Sequence, residues 1–263
     1  MTLKLYQVDA FTQDPFSGNP AAVCLLTQSQ PDSWMLALAA EMNLSETAFL
    51  LPEGEDWRLR WFTPKTEVSL CGHATLASAK ILFETGLAAK DQPIRFVSQS
   101  GILTARWRDG QIELDFPRMM PEPVEVDPRV RTALGINIQG SVCSGNYFLY
   151  EVENAGAVRR ASPNFTALAE LPVPEVIITA RSDDPKFDFI SRFFAPQLGI
   201  DEDPVTGSAH CLLAPYWAGK LGKEIFSAYQ ASARGGVLEV KLSGDRVRIA
   251  GHARIVFEAD LRV

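Results

Sequence analysis

Phe62-Thr63-Pro64-Lys65-Thr66-Glu67-Val68-Ser69-Leu70-Cys71-Gly72-His73-Ala74 is the stretch on which the fold turns, because the chain writes its pattern twice. Phe194-Ala195-Pro196 leads, through an acidic insertion, to Thr206-Gly207-Ser208-Ala209. The two glycines are separated by about half of the 263 residues. In each copy a loop ends at Gly-(His or Ser)-Ala and an apolar, helix-like run follows. The start of a helix leaves its first N–H groups without partners inside the helix and favours an anion in front of them. Two such starts facing each other would make a cleft suited to a small carboxylate.

Outward from the first copy, Ala74 to Leu87 reads as a helix rich in Ala and Leu with few charges. Such a helix belongs inside a shell rather than on a surface. Strands are expected around it at Thr47–Leu51, Trp57–Phe62, Ile94–Val97, Ile102–Trp107 and Ile112–Phe116. The opening residues, Thr2 to Phe11, alternate polar and apolar side chains as the edge of a sheet would, and a turn-rich loop over 9–20 leads to the apolar run Ala21–Leu26. Pro31 to Met42 has helical spacing at Trp34, Leu38 and Met42. Pro117-Arg-Met-Met-Pro121-Glu-Pro123 is the best candidate for a linker.

The second half repeats the mixture. A strand at Val176–Ala180 and the run Phe187–Phe193 lead to the second motif, and a second apolar helix spans about Ala209–Leu221. Gly235-Gly236 then opens a hairpin-like series at Val237–Leu242, Arg246–Gly251 and Ala253–Phe257. The expected class is α/β (α+β): two pseudo-symmetric domains, 1–117 and 123–263, each a curved, mostly antiparallel sheet wrapped around a buried central helix. Residues 251–263 are open to returning to the first domain.

Composition bounds the function. Hydrophobic residues make up 46% and charged residues 22%, normal for a soluble globular protein. The net charge of −7, with no lysine or arginine run, argues against a nucleic-acid partner. The first residues lack the apolar core of a signal peptide, and no apolar stretch approaches a membrane span. Cysteines 24, 71, 143 and 211 are scattered without CxxC spacing. That predicts neither a metal centre nor a disulfide scaffold, and a reduced, cytoplasmic protein.

Four side chains carry the candidate chemistry. Glu46, in Ser45-Glu46-Thr47-Ala48-Phe49, reads either as an ordinary turn glutamate or as a proton shuttle. In an apolar setting its carboxyl pKa would rise toward what a general acid/base near neutral pH needs. His73 sits at a helix start, where a cation is disfavoured and a neutral imidazole can contact substrate. Asp203, in Asp203-Pro204-Val205-Thr206-Gly207-Ser208, reads either as a turn and N-cap to the next helix or as an acid and acceptor, with the Gly207 and Ser208 amides on an anion. No phosphate loop and no GxSxG elbow occurs, and His210 and His252 lack metal-ligand spacing and read as structural. Cys71 invites comparison with two-thiol racemases. The mirror position is Thr206, with Cys211 about a helical turn further on, so a two-thiol mechanism is not expected.

In order along the chain, these segments resemble the phenazine-biosynthesis PhzF-like isomerase family. The resemblance runs from Val8-Asp9-Ala10-Phe11 and Phe16-Ser17-Gly18-Asn19-Pro20, through Ser45–Phe49 and Leu70–Thr75, to Asp201–Ala209 and Gln230–Gly236. It implies the diaminopimelate epimerase-like fold, two domains with a cleft between them, commonly a homodimer, and no cofactor. In the phenazine enzyme a glutamate moves a proton across dihydro-hydroxyanthranilate, a cyclic hydroxy-amino acid. Carried over, Glu46 is the acid/base; His73, Asp203 and Ser208 hold and polarise a small carboxylate substrate. The amides of Gly72 and Gly207 lie near its carboxylate, and Asn19 reaches the cleft. An amino-acid epimerase using Glu46 or Cys71 with Asp203, and a non-catalytic binding protein, are the competing expectations.

Overall fold

The structure, a computed structural model, describes residues 3–262 and divides into two compact units. One holds the chain up to Asp115 and from Ala250 onward; the other is Phe116–Ile249. Thr2, like residues 1 and 263, lies outside the described residues.

The first unit opens with β1 (Leu3–Ala10), β2 (Asn19–Leu25), α1 (Asp32–Met42) and β3 (Glu46–Glu53). It continues with β4 (Asp56–Phe62), β5 (Glu67–Val68), α2 (Gly72–Glu84), β6 (Ile94–Ser98), β7 (Gly101–Arg108) and β8 (Gln111–Pro117), whose end passes into the second unit. In the second unit come β9 (Glu122–Pro123), α3 (Pro128–Leu134), β10 (Ile138–Ser144), β11 (Tyr147–Val152), α4 (Ala155–Arg160) and α5 (Phe165–Ala169). Then follow β12 (Glu175–Arg181), β13 (Phe189–Ala195), β14 (Ile200–Asp203), α6 (His210–Leu221), β15 (Ile225–Gln230) and β16 (Gly236–Ser243). β17 (Arg246–Gly251) carries the chain back to the first unit, where β18 (Ala253–Leu261) ends it.

Most ladders are antiparallel, as expected, and each unit has the same internal scheme. In the first, β2 and β3 run parallel, joined by α1; β4 returns antiparallel, and β5 leads into α2. In the second, β11 and β12 run parallel, joined by α4 and α5; β13 returns antiparallel, and β14 leads into α6. β1 corrects one expectation. It is flanked on both sides, by β2 and by the terminal β18, so it is an inner strand and not an edge. That explains why six of its eight residues are buried.

The central helices are buried because their side chains are small or apolar on most faces. Eleven of the thirteen residues of α2 are buried against β1, β2, β3, β7 and β18. Its two buried hydroxyls are satisfied locally: Thr75 donates to the Cys71 carbonyl at 2.5 Å and Ser78 to that of Ala74 at 2.7 Å. α6 carries Pro215 in its interior, which cannot donate to the Cys211 carbonyl. The Met119 N–H takes that acceptor at 3.1 Å. The stretch over 117–123 is therefore no free linker. Arg118 also bonds to the Asp245 carbonyl, and β9 pairs with β10.

Outer helices cover part of each unit's sheet. Met35, Leu38 and Ala39 of α1 pack in a cluster with Leu5, Cys24 and Phe49. The buried stripe is thus shifted from the expected Trp34–Leu38–Met42, with Trp34 and Met42 at its margin. α3, α4 and α5 do the same in the second unit through Val130, Leu134, Val158 and Leu168. Among the described residues no helix is long and apolar enough to cross a membrane.

Candidate active site

Three elements of the first unit converge on one group of side chains. Glu46 is the first residue of β3, in register with Ala21 of β2. Its side chain is 12% exposed, and Oε2 lies 3.4 Å from Nε2 of His73, itself 5% exposed. His73 is the second residue of α2, and Gly72 the first. Cys71 precedes them in extended conformation, with no side chain capping the helix, and its Sγ lies 3.5 Å from Nδ1 of His73. The Gly72 and His73 amides are therefore first-turn donors with no carbonyl before them inside the helix. Asn19 begins β2, fully buried, two residues ahead of Glu46's register partner. Gly18 fixes the approach to it: φ is +67°, and a Cβ there would stand 2.2 Å from the Ala10 carbonyl oxygen.

Electrostatics keeps this histidine neutral. Burial pushes its pKa down to about 3, and the positive end of α2 acts in the same sense. The nearby Glu46 carboxylate acts the other way. At 3.4 Å its geometry falls short of a hydrogen bond with the buried Nε2, so burial prevails. A neutral ring has one N–H. Nδ1 faces the Cys71 sulfur and Nε2, without a hydrogen-bond partner, faces Glu46; the tautomer decides which of them carries the proton. The ligand atoms of Glu46, Cys71 and His73 also lie within 4.8 Å of one another. Among the described residues this is the set that could hold a metal, and its O, S and N donors suit a zinc-type ion.

The second unit holds the other candidates around a polar clamp. Asp203 ends β14, 8% exposed, and accepts from the Thr206 hydroxyl. The fully buried Gln230 of β15 binds both ends of this loop: its Oε1 accepts from the Thr206 N–H at 2.9 Å, and its Nε2 donates to the Asp203 carbonyl at 2.8 Å. Asp203 is not an N-cap, because α6 begins only at His210 with Ala209 before it and no capping side chain. Gly207 and Ser208 instead form a tight turn, with the His210 and Cys211 N–H groups bonded to their carbonyls. Ser208 Oγ receives a 2.9 Å hydrogen bond from the phenol of Tyr147, the first residue of β11.

His210 fits its structural reading. It is fully buried, its Nδ1 donates to the Thr206 carbonyl at 2.9 Å, and burial takes its pKa down to about 4. Tyr147 and Gln230 carry no local sequence signal for a role. Gln230 stood in a matching segment, but nothing in the sequence linked it to residues 203–206. A surface depression of about 350 Å³ beside Met35, Phe49, Leu59 and Arg60 includes none of the candidate residues. Arg60 there is held by Glu67 and Asp32.

The family model described as "Phenazine biosynthesis-like protein" matches residues 8–259. An "uncharacterized isomerase" of Halalkalibacterium halodurans is 51% identical over 263 residues, spanning 99% of both chains. A crystal structure titled as a phenazine biosynthesis protein of the PhzF family, from Enterococcus faecalis, superposes with a TM-score of 0.96 at 42% identity over 100% of both chains. A hydroxyproline epimerase from Agrobacterium vitis superposes at 0.65 and 13% identity, covering 99% of this chain and 92% of its own, which shows a shared fold alone.

Proposed function

The chain belongs to the phenazine biosynthesis-like, PhzF-like family of isomerases, and from that premise we propose that it catalyses a proton shift on a small, cyclic carboxylate with Glu46 as the general acid/base and no cofactor. The observation that carries this is the placement of Glu46. A nearly enclosed carboxylate faces a neutral histidine at the bare start of a buried helix. Such a carboxylate can take a proton from one carbon and return it to another without changing its partner.

In this reading the Gly72 amide orients the substrate carboxylate and Asn19 completes that wall. His73 donates to an oxygen that gains charge as the C–H bond breaks. Asp203, Ser208 and the Gly207 amide supply the corresponding set from the second unit. Preorganised donors of this kind are worth about 10²- to 10³-fold each in rate, and the acid/base about 10²- to 10⁴-fold. As a homodimer or a single chain, the chemistry asked of these residues is the same.

Cys71 supports a second reading. Its sulfur stands 3.5 Å from His73 Nδ1, where a thiol could serve as a second base in an epimerisation. Proton NMR in deuterium oxide separates the two. Protein is mixed with a panel of cyclic and amino carboxylates, dihydro-hydroxyanthranilate included. A proton shift labels the receiving carbon of a rearranged product; an epimerase labels the carbon beside the carboxylate and inverts it. Ligand line broadening without exchange across the panel would favour a binding protein.

A further inference from the structure

The second unit contains a carboxylate that the reading above does not use. Glu175 is the first residue of β12, as Glu46 is the first residue of β3. Each opens the second strand of a parallel pair, and each is followed by an antiparallel strand, a short strand and the central helix. Glu175 is thus the counterpart of Glu46 in the repeated scheme, and Ser208, after the motif glycine, is the counterpart of His73.

Its partners differ. Register sets Tyr147 directly beside Glu175 across the β11–β12 ladder, so the phenol and the carboxyl group share one face of the sheet and act on each other's ionisation. The same phenol reaches Ser208 Oγ at 2.9 Å. Of the two carboxyl oxygens of Glu175, Oε2 is buried with no hydrogen-bond partner. An ionised carboxylate would leave that oxygen's charge unsatisfied, whereas a protonated one would not. Burial accordingly raises the Glu175 pKa and pushes the Tyr147 phenol well above its ordinary range. The other titratable group facing Tyr147 is Cys211 of α6, whose thiol burial pushes up to about 12 and which Arg246 of β17 faces. The ring of Phe193 on β13 packs against the phenol from 6.1 Å.

The geometry points to a proton relay, Glu175–Tyr147–Ser208, in which the protonation state of Glu175 decides whether Ser208 offers its ligand a donor or an acceptor. A phenol has one proton to give. When Glu175 is protonated, its O–H donates to Tyr147, Tyr147 donates to Ser208, and the Ser208 O–H is free to point at the ligand. When Glu175 is ionised, Tyr147 donates to it, Ser208 donates back to Tyr147, and the Ser208 oxygen presents only lone pairs. Passage between the two states is balanced. Ser208 gives its proton to a ligand oxygen bearing negative charge and takes that of Tyr147, which takes that of Glu175, leaving a neutral ligand hydroxyl and a Glu175 carboxylate. Tyr147 and Glu175 are positioning residues in this scheme; only Ser208 touches the ligand. The catalytic meaning of the relay rests on the isomerase reading, but its existence does not.

The test therefore uses no substrate. The full chain is labelled with [13Cδ]Glu, [13Cζ]Tyr and [13Cβ]Ser and followed by NMR from pH 4 to 9. Glu175 Cδ, Tyr147 Cζ and Ser208 Cβ are expected to move together, with one midpoint above the ordinary carboxylate range. In Glu175→Gln both reporters should fall silent over that range; in Tyr147→Phe, Glu175 should still titrate while Ser208 does not respond. A merely structural tyrosine would leave Ser208 Cβ flat in the wild type, and that result overturns the relay. So would a Ser208 response that survives Tyr147→Phe. If Tyr147→Phe fails to fold by circular dichroism, the Glu175→Gln comparison decides alone. Failure of the proton-shift reading would leave these titrations unchanged, so the two can fail separately.

Discussion

The two units share a backbone scheme and place different chemistry on it. Glu46 and Glu175 both open the second strand of a parallel pair, and a glycine followed by a polar residue stands near the start of each central helix. In the first unit the carboxylate meets a neutral imidazole 3.4 Å away, with a thiol on the ring's other nitrogen. In the second it meets a phenol and, beyond it, a serine. The helix entrances differ too. α2 starts at Gly72 directly after an extended Cys71, whereas the chain turns once more after Gly207 before α6 begins. A duplicated frame therefore does not imply a duplicated mechanism. What each half does depends on what the frame's equivalent positions carry.

The largest predicted asymmetry is catalytic. Glu46→Gln should lower proton exchange about 10²- to 10⁴-fold without unfolding the protein, while Glu175→Gln, which acts through two hydroxyls, should lower it less. Deuterium incorporation rates measure both, and equal losses would break the distinction between the halves.

Next comes stability. Gln230 bridges the loop over 203–206 from full burial, while the hydroxyls Thr75 and Ser78 of α2 bond only within their own helix. Gln230→Ala would leave the buried Thr206 N–H without its acceptor and take the amide donor from the Asp203 carbonyl. It should cost about 2 to 4 kcal/mol, read by urea denaturation. Ser78→Ala should cost less, since it removes the donor and leaves the Ala74 carbonyl with its helical bond.

Acid should act on both halves through one histidine each. Burial lowers His73 to about 3 and His210 to about 4 from 6.5, so the native state stays neutral while the unfolded chain takes up a proton at each. Stability is then complete above about pH 6.5 and falls as the pH drops below it, by up to about 1.4 kcal/mol per pH unit per histidine. His73→Gln should remove one proton from that dependence, and urea melts between pH 7 and 5 measure it.

The smallest effect belongs to Cys71→Ser. With a single base at Glu46 it should change exchange less than about tenfold, below the range for losing an acid/base. A collapse to background would instead make the thiol a second base and favour epimerisation.

Much of this frame was legible because its signals are local. The repeated glycine motif marked both helix starts, and the density of Ala and Leu over 74–87 marked α2 as buried. The short helices α3, α4 and α5 went unread, although Asp127, Asn154 and Asn164 cap them with side-chain acceptors, a signal the sequence does carry. At the site, Glu46 and His73 could be named but not joined, since 26 residues of chain lie between them and the packing of α2 against β3 brings them to 3.4 Å. Tyr147 and Glu175 were less accessible still. Each is an isolated polar residue at a strand start, and they become neighbours through the register of a parallel ladder, which no local pattern specifies.

The role proposed for Glu46 is to move the proton. Its most direct test is deuterium incorporation from deuterium oxide into the panel carboxylate that wild-type protein labels, repeated with Glu46→Gln and with calorimetric binding of the same compound. The variant is expected to bind with unchanged affinity and to leave the carbon unlabelled. Labelling at the wild-type rate by the folded variant would contradict that role.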